Sequence, residues 1–117
     1  MKIALMGLGA IGQELLKCLG ASEVQVEILG ALVAHPARSR GCRAFSTVAE
    51  LIAARPDLVV ECARQHVLEA AGPEILRSGM SLVVASVGAL ASEEVFERLR
   101  SAADAGAAQI FVPAGAL

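Results

Sequence analysis

The sequence predicts an α/β fold: one doubly wound parallel sheet covered on both faces, in three layers α/β/α. Strand-like and helix-like segments alternate along the whole chain, and the first strand-like segment runs into a glycine-rich turn followed by apolar residues at helical spacing. The 117 residues fit one domain at roughly 100–200 residues per domain and exclude an ordinary two-domain enzyme.

Each element follows from its pattern. Lys2 to Met6 is an apolar run ending in glycine, as expected of a strand buried on both faces. Ile11, Leu15, Leu16 and Leu19 recur at three- and four-residue spacing, which predicts a helix from about Ala10 to Leu19, stopped by Gly20. Val24 to Ala34 reads as the second strand. Pro36 biases His35 towards extended geometry, and Ala37 to Ala44 reads as a polar, arginine-bearing loop. Thr47 with Glu50 forms a capping-box pattern opening a short helix through Ala54. Asp57 to Glu61 is the third predicted strand. Gln65 to Ser78 has helical spacing, with Gly72-Pro73 expected to kink or split it because proline removes a backbone donor. Ser81 to Ala85 is the fourth strand. Ser92-Glu93-Glu94 caps a helix carrying Val95, Phe96 and Leu99, and Gln109 to Val112 completes five strands.

Composition bounds the function. Hydrophobic residues make up 56% and charged residues 19%, which excludes a disordered chain. Aromatics are 3%, with no Trp and no Tyr, so the core is expected to consist of Ala, Leu, Val and Ile. Ten basic against twelve acidic residues give a formal charge of −2, leaving no overall basic field for nucleic acid or an anionic membrane. The longest uncharged stretch, Ser78 to Ser92, is broken by Gly79, Ser81, Ser86 and Gly88 and falls short of the ~20 apolar residues of a spanning helix. The N-terminus lacks a small-residue cleavage site and reads as a buried strand rather than a signal peptide. Cys18, Cys42 and Cys62 have neither metal-ligand nor redox spacing, which points to a cytoplasmic protein with buried or inert thiols and no metal.

Gly7-Leu8-Gly9-Ala10-Ile11-Gly12 is a G-x-G-x-x-G loop between a strand and a helix, the context in which it points to a dinucleotide on a Rossmann-like fold. Gly7 would permit the tight turn, Gly9 the approach of a pyrophosphate and Gly12 close helix packing, with the helix amides facing the phosphate. The alternative is a glycine turn without a ligand. No Asp or Glu follows about 20 residues past the glycines, where an acidic residue would bind the ribose hydroxyls. Val33-Ala34-His35-Pro36 stands there, with Arg38, Arg40 and Arg43 beyond. A guanidinium fork suits a 2′-phosphate, so NADP is expected to bind at least as well as NAD. A solvated basic loop is the competing reading. Ala34, His35 and Arg38 are counted with the cofactor-binding positions, although His35 could equally face solvent.

Leu58-Val59-Val60-Glu61-Cys62-Ala63, Ser86-Val87-Gly88-Ala89-Leu90 and Phe111-Val112-Pro113-Ala114-Gly115-Ala116-Leu117 resemble the aspartate dehydrogenase family, and with Gly7 to Gly12 the resemblance spans essentially the whole chain. It implies an NAD(P)-dependent oxidoreductase that converts L-aspartate to iminoaspartate, which can supply NAD biosynthesis. It also implies an oligomer with a Rossmann domain followed by a catalytic domain. Residues 1–117 are expected to be the dinucleotide-binding domain alone, without the C-terminal catalytic domain and its histidine, and inactive by themselves. The resemblance places Gly7, Gly9, Ala10, Ile11 and Gly12 at the pyrophosphate, Cys62 and Ala63 beside the cofactor, and Ser86, Gly88 and Ala89 towards the nicotinamide. Ala114 departs from the serine common in the family. Glu61 is read as a structural hydrogen-bond acceptor or a functional acid, and His66 as a helix-start or rim residue.

Two other functions compete. One is a stand-alone nucleotide-binding or sensor module completed by another chain; the other is a homoserine dehydrogenase or dihydrodipicolinate reductase relative, against which Ser86-Val87-Gly88-Ala89 speaks. Apolar surface normally covered by a second domain is expected to drive self-association.

Overall fold

The computed structural model describes residues 1–7, 14, 17–18, 25–33, 42–62, 65–84 and 92–112. Along the chain these form β1 (Lys2–Met6), β2 (Glu27–Leu32), β3 (Ala44–Phe45), α1 (Val48–Ala53), β4 (Leu58–Glu61), α2 (Gln65–Arg77), β5 (Ser81–Val84), α3 (Glu93–Gly106) and β6 (Ile110–Phe111). Glu14, Lys17 and Cys18, between β1 and β2, are also helical.

The strands pair in parallel in the order β3-β2-β1-β4-β5-β6. From β1 the chain steps outward one way to β2 and β3, returns to β4 beside β1, and steps the other way to β5 and β6. Right-handed crossovers put the connections of the two halves on opposite faces, so the sheet is doubly wound and the fold Rossmann-like. Side-chain alternation divides the core accordingly. Ala4, Met6, Val59, Leu82 and Val84 join Leu68, Ile75 and Leu99 of α2 and α3 on one face. Ile3, Leu5 and Ala31 form a smaller cluster on the other.

The N-terminal edge is fixed by Asp57. Its carboxylate accepts from the Lys2 amide at 2.8 Å, and its own amide donates to the Lys2 carbonyl at 2.7 Å, which holds β4 in register with β1. Thr47 caps α1 by accepting from the Glu50 amide at 3.2 Å, while the Glu50 carboxylate accepts from the Ser46 amide at 3.2 Å. Ser92 caps α3 by accepting from the Val95 amide at 3.4 Å. A side-chain cap of this kind contributes about 1 kcal/mol.

Four expectations are corrected. The sheet has six strands, because Ala44–Phe45 adds an edge strand to β2 where a polar loop was expected; two residues are too few to show a period. A Cβ at Gly30 would lie 2.7 Å from both the Arg43 carbonyl oxygen and the Phe45 ring, so a strand glycine makes room for this edge. The second strand is Glu27–Leu32, shorter than Val24 to Ala34. The core is not purely aliphatic: Phe45 is its largest fully buried side chain, with Met6 also fully buried. Finally, α2 is not split into two pieces at Gly72-Pro73 but runs as a single helix with Pro73 inside it. A Cβ at Gly72 would lie 2.8 Å from Leu99 Cδ2, so the missing side chain lets α3 pack against α2 at the position where proline weakens it. Among the described residues, no helix is long and apolar enough to cross a membrane.

Candidate functional site

In an open α/β sheet, ligands collect beyond the carboxyl ends of the strands, where the strand order reverses. Here that point lies between β1 and β4. Two main-chain hydrogen bonds join three strand ends at this edge. The Gly7 amide donates to the Leu32 carbonyl at 2.8 Å, tying the exit of β1 to β2, and the Cys62 amide donates to the Met6 carbonyl at 2.8 Å, tying β4 to β1.

Gly7 has φ +88°, in the region where a Cβ is disfavoured, so a glycine is needed for the chain to turn off the strand there. Its amide is spent on Leu32, which leaves contact with a ligand phosphate to later amides of the loop. The site fits a dinucleotide by this observation: the strand end turns through a left-handed glycine at the reversal point, and Gly7 itself brings no side chain to the approach.

Cys62 immediately follows β4 and is half-buried. Burial pushes its thiol up from the ordinary 9.0 to about 11, and the charge of Glu61 adds to the rise. It is therefore a neutral thiol at physiological pH, suited to lining a pocket and not to nucleophilic attack. Burial also raises the Cys42 thiol. Cys18 is exposed, so of the two expectations for these thiols burial does not hold for it.

Glu61 is fully buried and occupies the last position of β4, paired with Met6 and Val84, the last residues of β1 and β5. Its burial was not evident from sequence: a carboxylate at a strand end resembles a solvated one until the flanking strands are in place. Arg43, of the expected arginine cluster, holds its guanidinium 5.0 Å from the Phe45 ring centroid, a cation–π contact that anchors the base of that loop. His66 stands in the first turn of α2. Of the expected cofactor positions, the structure describes Gly7, which directly follows Met6 at the end of β1, and Cys62, whose amide donates to the Met6 carbonyl. Gly9, Ala10, Ile11, Gly12, Ala34, His35, Arg38, Ala63, Ser86, Gly88 and Ala89 lie outside the described residues, as do Arg40 and Ala114.

Comparison with known proteins identifies the kind of domain to which this sheet belongs. L-aspartate dehydrogenase 1 of Bordetella pertussis is 39% identical over 118 residues, covering 100% of this chain and 46% of its own length. The chain thus spans about half the length of the curated relatives it matches. The aspartate dehydrogenase of Thermotoga maritima superposes with a TM-score of 0.75 at 25% identity, over 98% of this chain and 46% of that one. A hyperthermophilic archaeal homoserine dehydrogenase in complex with NADPH shares the fold, with a TM-score of 0.76 at 16% identity over 95% of this chain and 43% of its own. The family profile described as "Homoserine dehydrogenase, NAD binding domain" matches residues 7–113. With most of its length inside that profile, the chain belongs to the family of NAD-binding domains of homoserine dehydrogenase type.

Proposed function

We propose that this domain holds NAD(P) across the carboxyl edge of its sheet and is the cofactor-binding half of an L-aspartate dehydrogenase-like oxidoreductase. The observation that carries the reading is the 39% identity to L-aspartate dehydrogenase 1 along the entire chain, joined to a strand reversal that opens through Gly7 at φ +88°. Gly7, Gly9, Ala10, Ile11 and Gly12 would hold the pyrophosphate; Ala34, His35 and Arg38 the adenosine end; Cys62, Ala63, Ser86, Gly88 and Ala89 the nicotinamide half. The bound nicotinamide supplies hydride acceptance, by which L-aspartate becomes iminoaspartate for NAD biosynthesis. Turnover needs the substrate held against the ring beside a tuned acid or base, a task assigned to a catalytic domain outside residues 1–117. The setting is the cytoplasm, where three free thiols persist. The partners are the dinucleotide and further copies of the chain, not nucleic acid or a membrane.

Titration followed by the fluorescence of the reduced cofactor tests the assignment, with little protein background because Trp and Tyr are absent. NADPH is expected to bind at least as tightly as NADH, and aspartate is expected to reduce no NADP in the presence of this chain alone. A clear preference for NADH removes the arginine assignment. Failure to bind either nucleotide overturns the reading.

A further inference from the structure

We propose that Arg43, seated on the ring of Phe45, is the residue against which the adenine of the dinucleotide stacks. The inference rests on the cofactor-binding reading above and goes beyond it, because it gives the base a partner that serves NAD and NADP alike.

The Phe45 ring makes the seat. Phe45 stands opposite Leu32, the last residue of β2, and its carbonyl accepts from the Val33 amide at 3.2 Å. Its ring covers Gly30, where a Cβ would come within 2.7 Å of it. The ring is thus fixed beside the final residues of β2 and is fully buried, whereas Arg43, two residues earlier, is exposed. The Arg43 guanidinium lies 5.0 Å from the ring centroid and takes no part in the ion pairs of the described residues. No carboxylate draws it away. The ring therefore holds this cation from the core side and leaves its outer side to solvent.

Position and chemistry then point to the base. In folds of this kind the adenosine ribose lies at the end of the second strand, and Arg43 directly precedes β3, the strand that pairs with β2 there. An adenine ring offers flat π-faces, which stack on aromatic rings or on guanidinium planes. Aromatic partners are scarce, since the chain has three Phe and neither Trp nor Tyr. Phe96 and Phe111 belong to α3 and β6, and β6 is the opposite edge of the sheet, while the face of Phe45 is covered by Arg43. Among the described residues at the end of β2, that leaves Arg43. Its guanidinium suits the task, being planar and more weakly hydrated than an ammonium. Because the Phe45 contact already restrains the side chain, less freedom is lost when the base arrives.

The test measures dissociation constants of NADPH and NADH by fluorescence for wild type, Arg43→Ala, Arg43→Lys and Arg43→Tyr, with circular dichroism as the check on folding. Arg43→Ala is expected to weaken both nucleotides by the same factor, roughly five- to thirtyfold, the order of one lost base-stacking contact. Arg43→Tyr, which restores a flat face without the charge, is expected to recover most of that loss for both. Arg43→Lys, which restores the charge without the face, is expected to recover less. Where Arg43→Ala does not fold, the Tyr and Lys variants set against wild type repeat the comparison. Unchanged constants in Arg43→Ala overturn the inference. So does a loss confined to NADPH, which marks a contact with the 2′-phosphate, and so does recovery by Lys but not by Tyr, which marks a contact through charge alone. An equal loss in all three variants assigns Arg43 a merely structural role and overturns it as well. Failure of wild type to bind either nucleotide overturns it together with the function it rests on, and so is distinct from constants that Arg43→Ala leaves unchanged.

Discussion

Cys62 differs from the exposed Cys18 in what surrounds it: it is half-buried at the end of β4, beside a fully buried carboxylate. Burial first, and then the Glu61 charge, disfavour its thiolate and lift its titration from 9.0 to about 11. In the unfolded chain the thiol loses its proton near 9, whereas in the folded chain it keeps it until about 11. Between those values the unfolded state binds fewer protons, so stability falls as pH rises. Urea midpoints of the wild type are expected to decline from pH 9 to pH 11, with part of that slope absent in Cys62→Ser. A variant whose slope over that window equals that of the wild type would show that the thiol titrates normally. The residue type was readable from sequence and its environment was not, because the burial of Cys62 and Glu61 comes from β1 and β5, which are distant along the chain.

The packing of α2 against α3 shows how contacts between elements override local signals. Sequence rules put glycine just beyond a helix end, in the left-handed conformation. Here Ala107 takes that conformation at φ 53°, one residue after Gly106, which closes α3. The displacement has a steric cause. A Cβ at Gly106 would overlap the Leu76 carbonyl oxygen and lie 2.9 Å from the Arg77 Cα, so the end of α3 rests directly on the backbone of α2. At the other end of the contact Gly72 admits Leu99, and the two glycines together set the close approach of α3 to α2. Gly106→Ala is expected to force these helices apart and cost about 1–3 kcal/mol, the range for overpacking a filled interior. This is measurable as a lower urea midpoint with an unchanged slope. A midpoint equal to that of the wild type would mean that α3 ends without touching α2. The caps at Thr47 and Ser92 were legible because capping is local; the reasons for Gly72 and Gly106 lie in another helix.

Across the whole molecule, alternation and the glycine turn were enough to read a parallel, doubly wound sheet, since β1, β4 and β5 are short, largely apolar runs. Register lay beyond that reading, and it governs how the sheet is covered. Ala31, Leu5, Val60, Val83 and Phe111 stand side by side across β2, β1, β4, β5 and β6. Exposure along this row rises from fully buried at Ala31 and Leu5, through half-buried at Val60 and Val83, to 47% at Phe111. The face opposite α2 and α3 is therefore closed over β1 and open towards the β6 edge. Phe96 is 38% exposed on α3 and shares a surface groove with Phe111, beside Arg100 and Asp104. Two exposed aromatics in one groove at a sheet edge favour association of the isolated chain, with the apolar area removed from water as the driving force. Arg100 and Asp104, one turn apart on α3, allow a twofold arrangement in which each faces the opposite charge of a second copy. Sedimentation velocity of the chain is expected to show a coefficient that rises with concentration, and Phe111→Asp to abolish the rise, because two buried carboxylates would then oppose each other across the axis. Concentration-independent sedimentation of the wild type, or an equal rise in Phe111→Asp, would remove the β6 edge as the associating surface.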